Sequence, residues 1–277
     1  MYADDYTIWL SAPTCSELNI SLQQELQSVV EWIRKNKLVL NVLKTNSIIF
    51  GTTHTLQLQP ELNLVINNVP VKQVQETKLL GVVLDKKLLW TKQIDKMVSK
   101  MGSAVSVVKR CAAFMSLRLI KLVLQSLVLS VLDYCPVVWS STSEENIKKL
   151  QIVQNRAARI ALHCGYRTNI IDMHNFLGWL SVKKRLLYSL LVFFRNILIS
   201  KKPSILYKNV YFSSDRHKHA TRHATRGNFT LPKSKTNTIK RMVMYRAMQE
   251  WNKLPENIAQ ENSKIIFKKL VKEICAQ

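Results

Sequence analysis

The residues best suited to chemistry stand at the start of the chain, in "MYADDYTIWL". Asp4 and Asp5 are adjacent carboxylates, and Tyr6, Thr7, Ile8, Trp9 and Leu10 behind them are mostly β-branched or aromatic, the composition of a strand. Paired acids at the tip of a hairpin suit a hard divalent cation such as Mg²⁺, which prefers carboxylate oxygens and keeps a few waters. Two such ions activate an attacking hydroxyl and stabilise a leaving pyrophosphate. "YADD" alone is four residues, and an acidic β-turn accounts for it equally well. A second cluster, His217, His219 and His223 in "HKHATRH", has the donors for a transition metal. No cysteine stands nearby and the neighbours are basic, so a solvated loop facing nucleic acid is the better reading.

The elements that must hold these residues follow from periodicity. In "CSELNISLQQELQSVVEWIRKNKLVLN", Leu22, Leu26, Val29, Val30 and Ile33 fall on one helical face, with Ser16 as N-cap. "SIIFG", "LNLVINN" and "KLLGVVLD" then read as short strands, giving a small α+β unit up to Trp90. After Trp90 the period becomes helical. Ile94, Met97, Val98, Met101, Val105 and Val108 line one face of a helix whose other faces carry Lys92, Lys96, Lys100 and Lys109. "LRLIKLVLQSLVLSVLDY" is apolar all round and predicts a buried helix. "STSEENIKKLQIVQNRAARIALH" opens on a capping box, Thr142 to Glu145, and turns Ile147, Leu150, Val153, Ala157 and Ile160 inward. Lys148, Lys149, Arg156 and Arg159 occupy its remaining positions. A further helix covers about Val182 to Ile199, and helical periodicity returns on both sides of Pro255. Trp139, Trp179 and Trp251 read as core anchors rather than base-stacking platforms. The fold class is therefore α+β, mostly α.

Charge bounds the partner. Residues 1–90 hold 8 Lys/Arg and 8 Asp/Glu, whereas residues 91–277 hold 33 and 10, which is the whole of the net +23. Residues 201–241 alone carry 11 Lys/Arg against one acid, Asp215, in a Pro-, Ser- and Thr-rich stretch that reads as a linker or a loop ordered by a polyanion. Nucleic acid is the expected partner, ahead of a membrane surface. The most apolar run, Leu122 to Leu132, is bounded by Lys121 and Asp133 and is too short for a span of roughly 20 residues, so no membrane partner is expected. Five scattered cysteines and no secretory pattern point to an intracellular protein of the nucleus or cytoplasm, not a secreted one.

Taken in order, "YADDYTIW", a helix running into "WIRKNKLVLNVLKTNSIIFG", and "KLLGVVLDKKLLW" resemble the end of the palm domain of reverse transcriptases from non-LTR (LINE-type) retrotransposons. "YRAMQEWNKLPENI" followed by "FKKLVKEI" looks like the C-terminal end of many such elements, so the resemblance covers nearly the whole chain. It implies an RNA-directed DNA polymerase with Asp4 and Asp5 as catalytic, Mg²⁺-binding acids, Asp4 being the direct ligand. Tyr2 and Ala3 would shape the nucleotide and primer side of the turn. Lys44 matches a basic position near the incoming triphosphate, where a cation neutralises developing charge; a surface lysine is the competing view. Leu80 and Gly81 match the primer grip, where glycine lets backbone approach the primer, against a plain strand glycine. The helices after Trp90 would be the thumb, with Lys92, Lys96, Lys100, Lys148, Lys149, Arg156 and Arg159, and Arg222 and Arg226 further on, holding duplex phosphates.

The implied organisation is a partial palm over 1–90, a helical thumb over 91–165, a helical extension over 166–200, a basic linker or loop over 201–240 and a C-terminal helical segment over 241–277. Implied partners are an RNA template and a DNA primer, with deoxynucleotide triphosphates in the intact enzyme. In this family the fingers and the first catalytic aspartate precede "YADD", where this sequence has Met1 alone. A two-metal site needs ligands from both places, so the expectation is a piece of a longer enzyme that is inactive alone and does not hold Mg²⁺ by itself. Two other readings stay open: a non-catalytic basic nucleic-acid-binding protein, and a degenerate reading frame whose palm sheet, lacking partner strands, exposes an edge.

Overall fold

Thr14 starts the first helix: its hydroxyl accepts the Glu17 N–H at 3.3 Å, and α1 runs Cys15–Lys35 with Arg34 and Lys35 against its C-terminal dipole. Ser16 therefore lies inside the first turn instead of capping it. The structure, a computed structural model, describes residues 5–58, 61–213, 229–233 and 237–276. The chain divides into two compact units, Met1–Trp90 and Thr91–Gln277.

In the first unit, Leu18, Leu22, Leu26 and Val30 of α1 pack on a small core of Leu62, Leu64, Ile66 and Val71. Side-chain amides complete the contact. Gln23 donates to the Val65 carbonyl and accepts its N–H, both at 2.9 Å, while Asn19 accepts the Asn63 N–H at 2.9 Å. Among the described residues, a 3₁₀ turn at Val42–Lys44 and α2 (Thr53–Gln57) accompany six short strands: β1 (Asn46–Ser47), β2 (Val65–Ile66), β3 (Val69–Pro70), β4 (Lys72–Gln73), β5 (Glu76–Leu79) and β6 (Val82–Asp85). They form three two-stranded pairs, β1 with β4 parallel, and β2 with β3 and β5 with β6 antiparallel.

All four expected strands change, and of "LNLVINN" only Val65 and Ile66 are in a strand, which ends in a turn at Asn67 and Asn68. Tyr6–Leu10 lies outside any strand and exposes Tyr6, Trp9 and Leu10, because strand-favouring side chains do not make a strand without a partner. Of "SIIFG" only Ser47 is in a strand. "KLLGVVLD" is a hairpin, with Leu79 paired to Val82 across a two-residue turn at Leu80 and Gly81.

The second unit is helical: α3 (Thr91–Cys111), α4 (Leu117–Leu124), α5 (Ser130–Asp133), α6 (Pro136–Trp139), α7 (Glu144–Ala161), α8 (Ile170–Leu177), α9 (Val182–Ser200), α10 (Ser204–Tyr207), α11 (Asn237–Arg241), α12 (Val243–Trp251), α13 (Glu256–Ala259) and α14 (Lys264–Ala276). A π turn, Gln125–Leu129, joins α4 to α5. It shifts the inward face by one position, from Ile120 and Leu124 to Val128, Leu129 and Leu132, all at most 2% exposed. This run is not buried all round as expected: Leu119, Leu122 and Leu127 face solvent. α7 is capped by Ser143, whose Oγ accepts the Asn146 N–H, so the Thr142–Glu145 box does not form. Thr142 instead receives the Asn146 amide at 2.8 Å, and that amide also reaches Thr91 Oγ1 at 3.3 Å, pinning the starts of α7 and α3 together.

The face predicted for α3 is the one buried, and it packs on α7. A second core joins α9, α12 and α14 around Phe194, Phe229, Trp251 and Phe267, with rings stacked or edge-on at centroid distances from 5.1 to 6.4 Å. Trp139, Trp179 and Trp251 are all buried. Part of the expected loop over 201–241 belongs to this core: Phe212 bridges Phe229, and the Asn252 amide holds the Phe229 N–H and C=O at 2.8 Å each. The fold is α+β and mostly α.

Candidate nucleic-acid interface

In the first unit, Tyr2, Ala3 and Asp4 lie outside the described residues. Asp5 is exposed, and no three of His, Cys, Asp and Glu gather as a cation site among the described residues. Lys44 is exposed at the end of the 3₁₀ turn, whose first residue is capped by Asn41: the Asn41 Oδ1 accepts the Lys44 N–H at 3.1 Å. Leu80 and Gly81 form the tip of the β5–β6 hairpin with φ of 45° and 84°, the mark of a type I′ turn. Gly81 takes that conformation without a Cβ penalty, whereas Leu80 does not. Asp85, which sequence reading did not single out, accepts the Leu89 and Trp90 N–H groups at 3.0 and 2.9 Å. Those bonds fix a turn in which Leu88 and Trp90 both have positive φ, so "LDKKLLW" is a carboxylate-held corner.

In the second unit, Lys92, Lys96 and Lys100 are exposed at four-residue spacing along α3. On α7, Lys148 and Arg156 are exposed, with Ile152 between them. Beside them a shallow groove is floored by Gly102, Ser103 and Ser106 of α3 and edged by Arg110 and Arg156. Nothing stands within 4 Å of where a Cβ on Gly102 would project. Small residues between cations allow a rod-like polyanion to approach helix backbone, and each phosphate neutralised by Lys or Arg releases counterions.

Not every predicted cation is available for this. Lys149 pairs with Asp95 across the α3–α7 contact at 3.0 Å, so its charge is partly spent within the protein. Arg159 is half-buried, with its guanidinium 4.8 Å over the Tyr166 ring and Nη2 donating to the Tyr166 carbonyl at 3.3 Å. Arg222, Arg226, His217, His219 and His223 lie outside the described residues. Other cations are structural. Arg185 holds both Asp133 oxygens at 2.6 and 2.7 Å, and buried Arg195 donates to the Glu261 and Asn262 carbonyls at 3.0 and 2.5 Å while lying 4.9 Å over Phe267. Arg241 donates to the Ser141 carbonyl and Arg246 to Ser140 Oγ. Burial pulls the Arg246 guanidinium below its ordinary range, against an opposing pull from Glu250. Sequence reading missed Arg110 and Gly102; the signal for both was "KMGSAVSVVKR", small residues spaced between basic ones on a helix.

The chain is 25% identical over 188 residues, 67% of its length, to the probable RNA-directed DNA polymerase from transposon BS of Drosophila melanogaster, covering 20% of that protein. It is 23% identical over 178 residues, 62% of its length, to the probable RNA-directed DNA polymerase from transposon X-element of the same species, covering 19%. The chain thus spans about a fifth of the length of the curated relatives it matches. No family model and no solved structure matches it. The resemblance read from the motifs is borne out to this extent: the chain contains a region similar to transposon RNA-directed DNA polymerases. No helix among the described residues is long and apolar enough to cross a membrane.

Proposed function

We propose that these 277 residues are part of the RNA-directed DNA polymerase of a non-LTR retrotransposon, and that the helical unit after Trp90 grips the phosphate backbone of the template–primer duplex. The observation that carries this reading is a groove on α3 and α7 floored by Gly102 and serines and edged by Arg110 and Arg156, on two helices that also expose Lys96, Lys100 and Lys148. The similarity to transposon RNA-directed DNA polymerases supports nucleic acid as the substrate class, which this reading takes to be an RNA template with a DNA primer. In the intact enzyme Asp4 and Asp5 contribute, together with a further carboxylate, to a Mg²⁺ site that takes deoxynucleotide triphosphates. Alone, this polypeptide binds nucleic acid without extending a primer. An intracellular location suits a nucleic-acid substrate and five unpaired cysteines.

The test is binding of a labelled RNA–DNA hybrid by fluorescence anisotropy across a potassium chloride series, with primer extension in Mg²⁺ run beside it. Reversing Lys96, Lys100, Lys148 and Arg156 together to Glu is expected to flatten the slope of log K against log salt by about 0.9 for each phosphate that is no longer neutralised. An unchanged slope, or no binding at low salt, overturns the grip. Incorporation that disappears in Asp4→Ala overturns the inactivity of the isolated polypeptide and leaves the grip standing.

A further inference from the structure

Beyond the C-terminus of α7 the chain makes a tight turn in which the Thr168 N–H reaches the Gly165 carbonyl at 3.3 Å, putting Tyr166 and Arg167 at its tip. Tyr166 is 85% exposed, and what fixes it is Arg159, whose guanidinium lies 4.8 Å from the ring centroid on one side and also bonds the Tyr166 carbonyl. Arg159 Nε is buried with no hydrogen-bond partner, so this arginine is committed to the stack at the cost of an unsatisfied donor. An aromatic that serves only the protein's own core is covered on both faces, as Trp251 and Phe267 are; Tyr166 is held on one face and offers the other to solvent.

We propose that Tyr166, backed by Arg159, is a stacking platform for one unpaired nucleobase, so that a single strand leaving the α3–α7 groove is held beyond its edge. This rests on the nucleic-acid grip proposed above and adds to it a second substrate form, single-stranded rather than duplex. A guanidinium on one face of an aromatic ring orders it in advance, which lowers the entropy lost when a base stacks on the other face. Stacking accepts any base, as a polymerase that copies arbitrary sequence requires. Exposed Arg156 stands one turn before Arg159 on α7 and exposed Arg167 follows Tyr166 at the tip, so cations able to meet phosphates come before and after the platform along the chain.

The experiment uses the whole 277-residue polypeptide and two probes, a 12-nucleotide single strand carrying 2-aminopurine and a blunt 12-base-pair RNA–DNA hybrid. For Tyr166→Ala we expect single-strand affinity to fall about 5- to 150-fold, the worth of one stacked base, with loss of the 2-aminopurine quench and hybrid affinity within about twofold of the parent. Tyr166→Trp should restore both the affinity and the quench, and neither variant should alter the salt slope, because no charge changes. Arg159→Lys keeps the charge but not the planar stack and should give an intermediate loss. Single-strand binding by Tyr166→Ala equal to the parent overturns the platform, as does an equal loss on both probes. If the parent binds the hybrid but not the single strand, the platform fails while the grip stands; if it binds neither, both fail.

Discussion

Replacing Gly102 by alanine separates stability from binding on α3. Glycine inside a helix costs about 0.5–1 kcal/mol relative to alanine through backbone entropy. The added methyl meets no atom within 4 Å, so no steric term offsets the gain. For a unit of the size of Thr91–Gln277, each kcal/mol corresponds to roughly 2–4 °C, so the thermal midpoint should rise by about 1–4 °C. The same methyl projects into the groove edged by Arg110 and Arg156. If a phosphate backbone lies against that floor, hybrid affinity should fall by about two- to tenfold, up to roughly 1.4 kcal/mol. The salt slope should stay the same, since no cation is removed. Differential scanning calorimetry and an anisotropy titration read the two effects independently. A lower midpoint refutes the open space above Gly102. A higher midpoint with unchanged affinity refutes the groove as a contact surface.

Asn252→Ala removes both bonds to the Phe229 backbone and should cost about 2 kcal/mol in urea unfolding, whereas Phe229→Ala empties part of an aromatic core and should cost about 3–5 kcal/mol. His174 is held neutral, chiefly because burial pushes its imidazole below the ordinary value, with the Trp179 backbone opposing. The unfolded chain then binds more protons near and below pH 6.5, so stability is full above that pH and falls as the pH drops toward 5; His174→Gln should flatten the fall, read from urea midpoints at several pH values. Cys111 and Cys135 are exposed and should react with a chromogenic disulfide reagent in the folded state. Cys275 should stay silent until unfolding, because burial pushes its thiol up, more than Lys184 pulls it down.

The long helices after Trp90 are legible in the sequence because α3, α7 and α9 each run for 18 residues or more with apolar positions at helical spacing, and Ile94 to Val108 on α3 is buried as that stripe dictates. The first unit is less legible for a physical reason. Its strands are two to four residues long, too short for alternation to be seen, and the Leu80–Gly81 turn lacks the Asn-Gly or Asp-Gly signature, so a hairpin reads as one strand. The neighbouring Asn67–Asn68 turn, with φ of 49° and 64°, did carry a turn signal in its two asparagines. Tyr6–Leu10 shows the opposite failure, since strand propensity is a property of side chains and a strand is a property of pairs. For the interface, sequence supplied the sum of the charges but not their assignments.

That assignment decides how much of the excess of +23 a polyanion meets. Arg195 stands in "LLVFFRNILI", where an isolated cation in an apolar run signals burial, and it is indeed consumed by two carbonyls and a ring face. Arg185 is likewise committed to Asp133, and Lys149 to Asp95. Neutralising these residues should therefore shift stability more than the salt slope. Neutralising Lys96, Lys100, Lys148 or Arg156 should do the reverse, because exposed cations without short internal bonds contribute little to folding and fully to counterion release. The two groups are interspersed along the same helices: Lys148 and Lys149 are adjacent, yet only Lys149 reaches an acid at 3.0 Å. A slope that scales with total charge removed, regardless of which group it comes from, would mean that a diffuse field binds the polyanion; a slope that follows only the exposed group means a surface does.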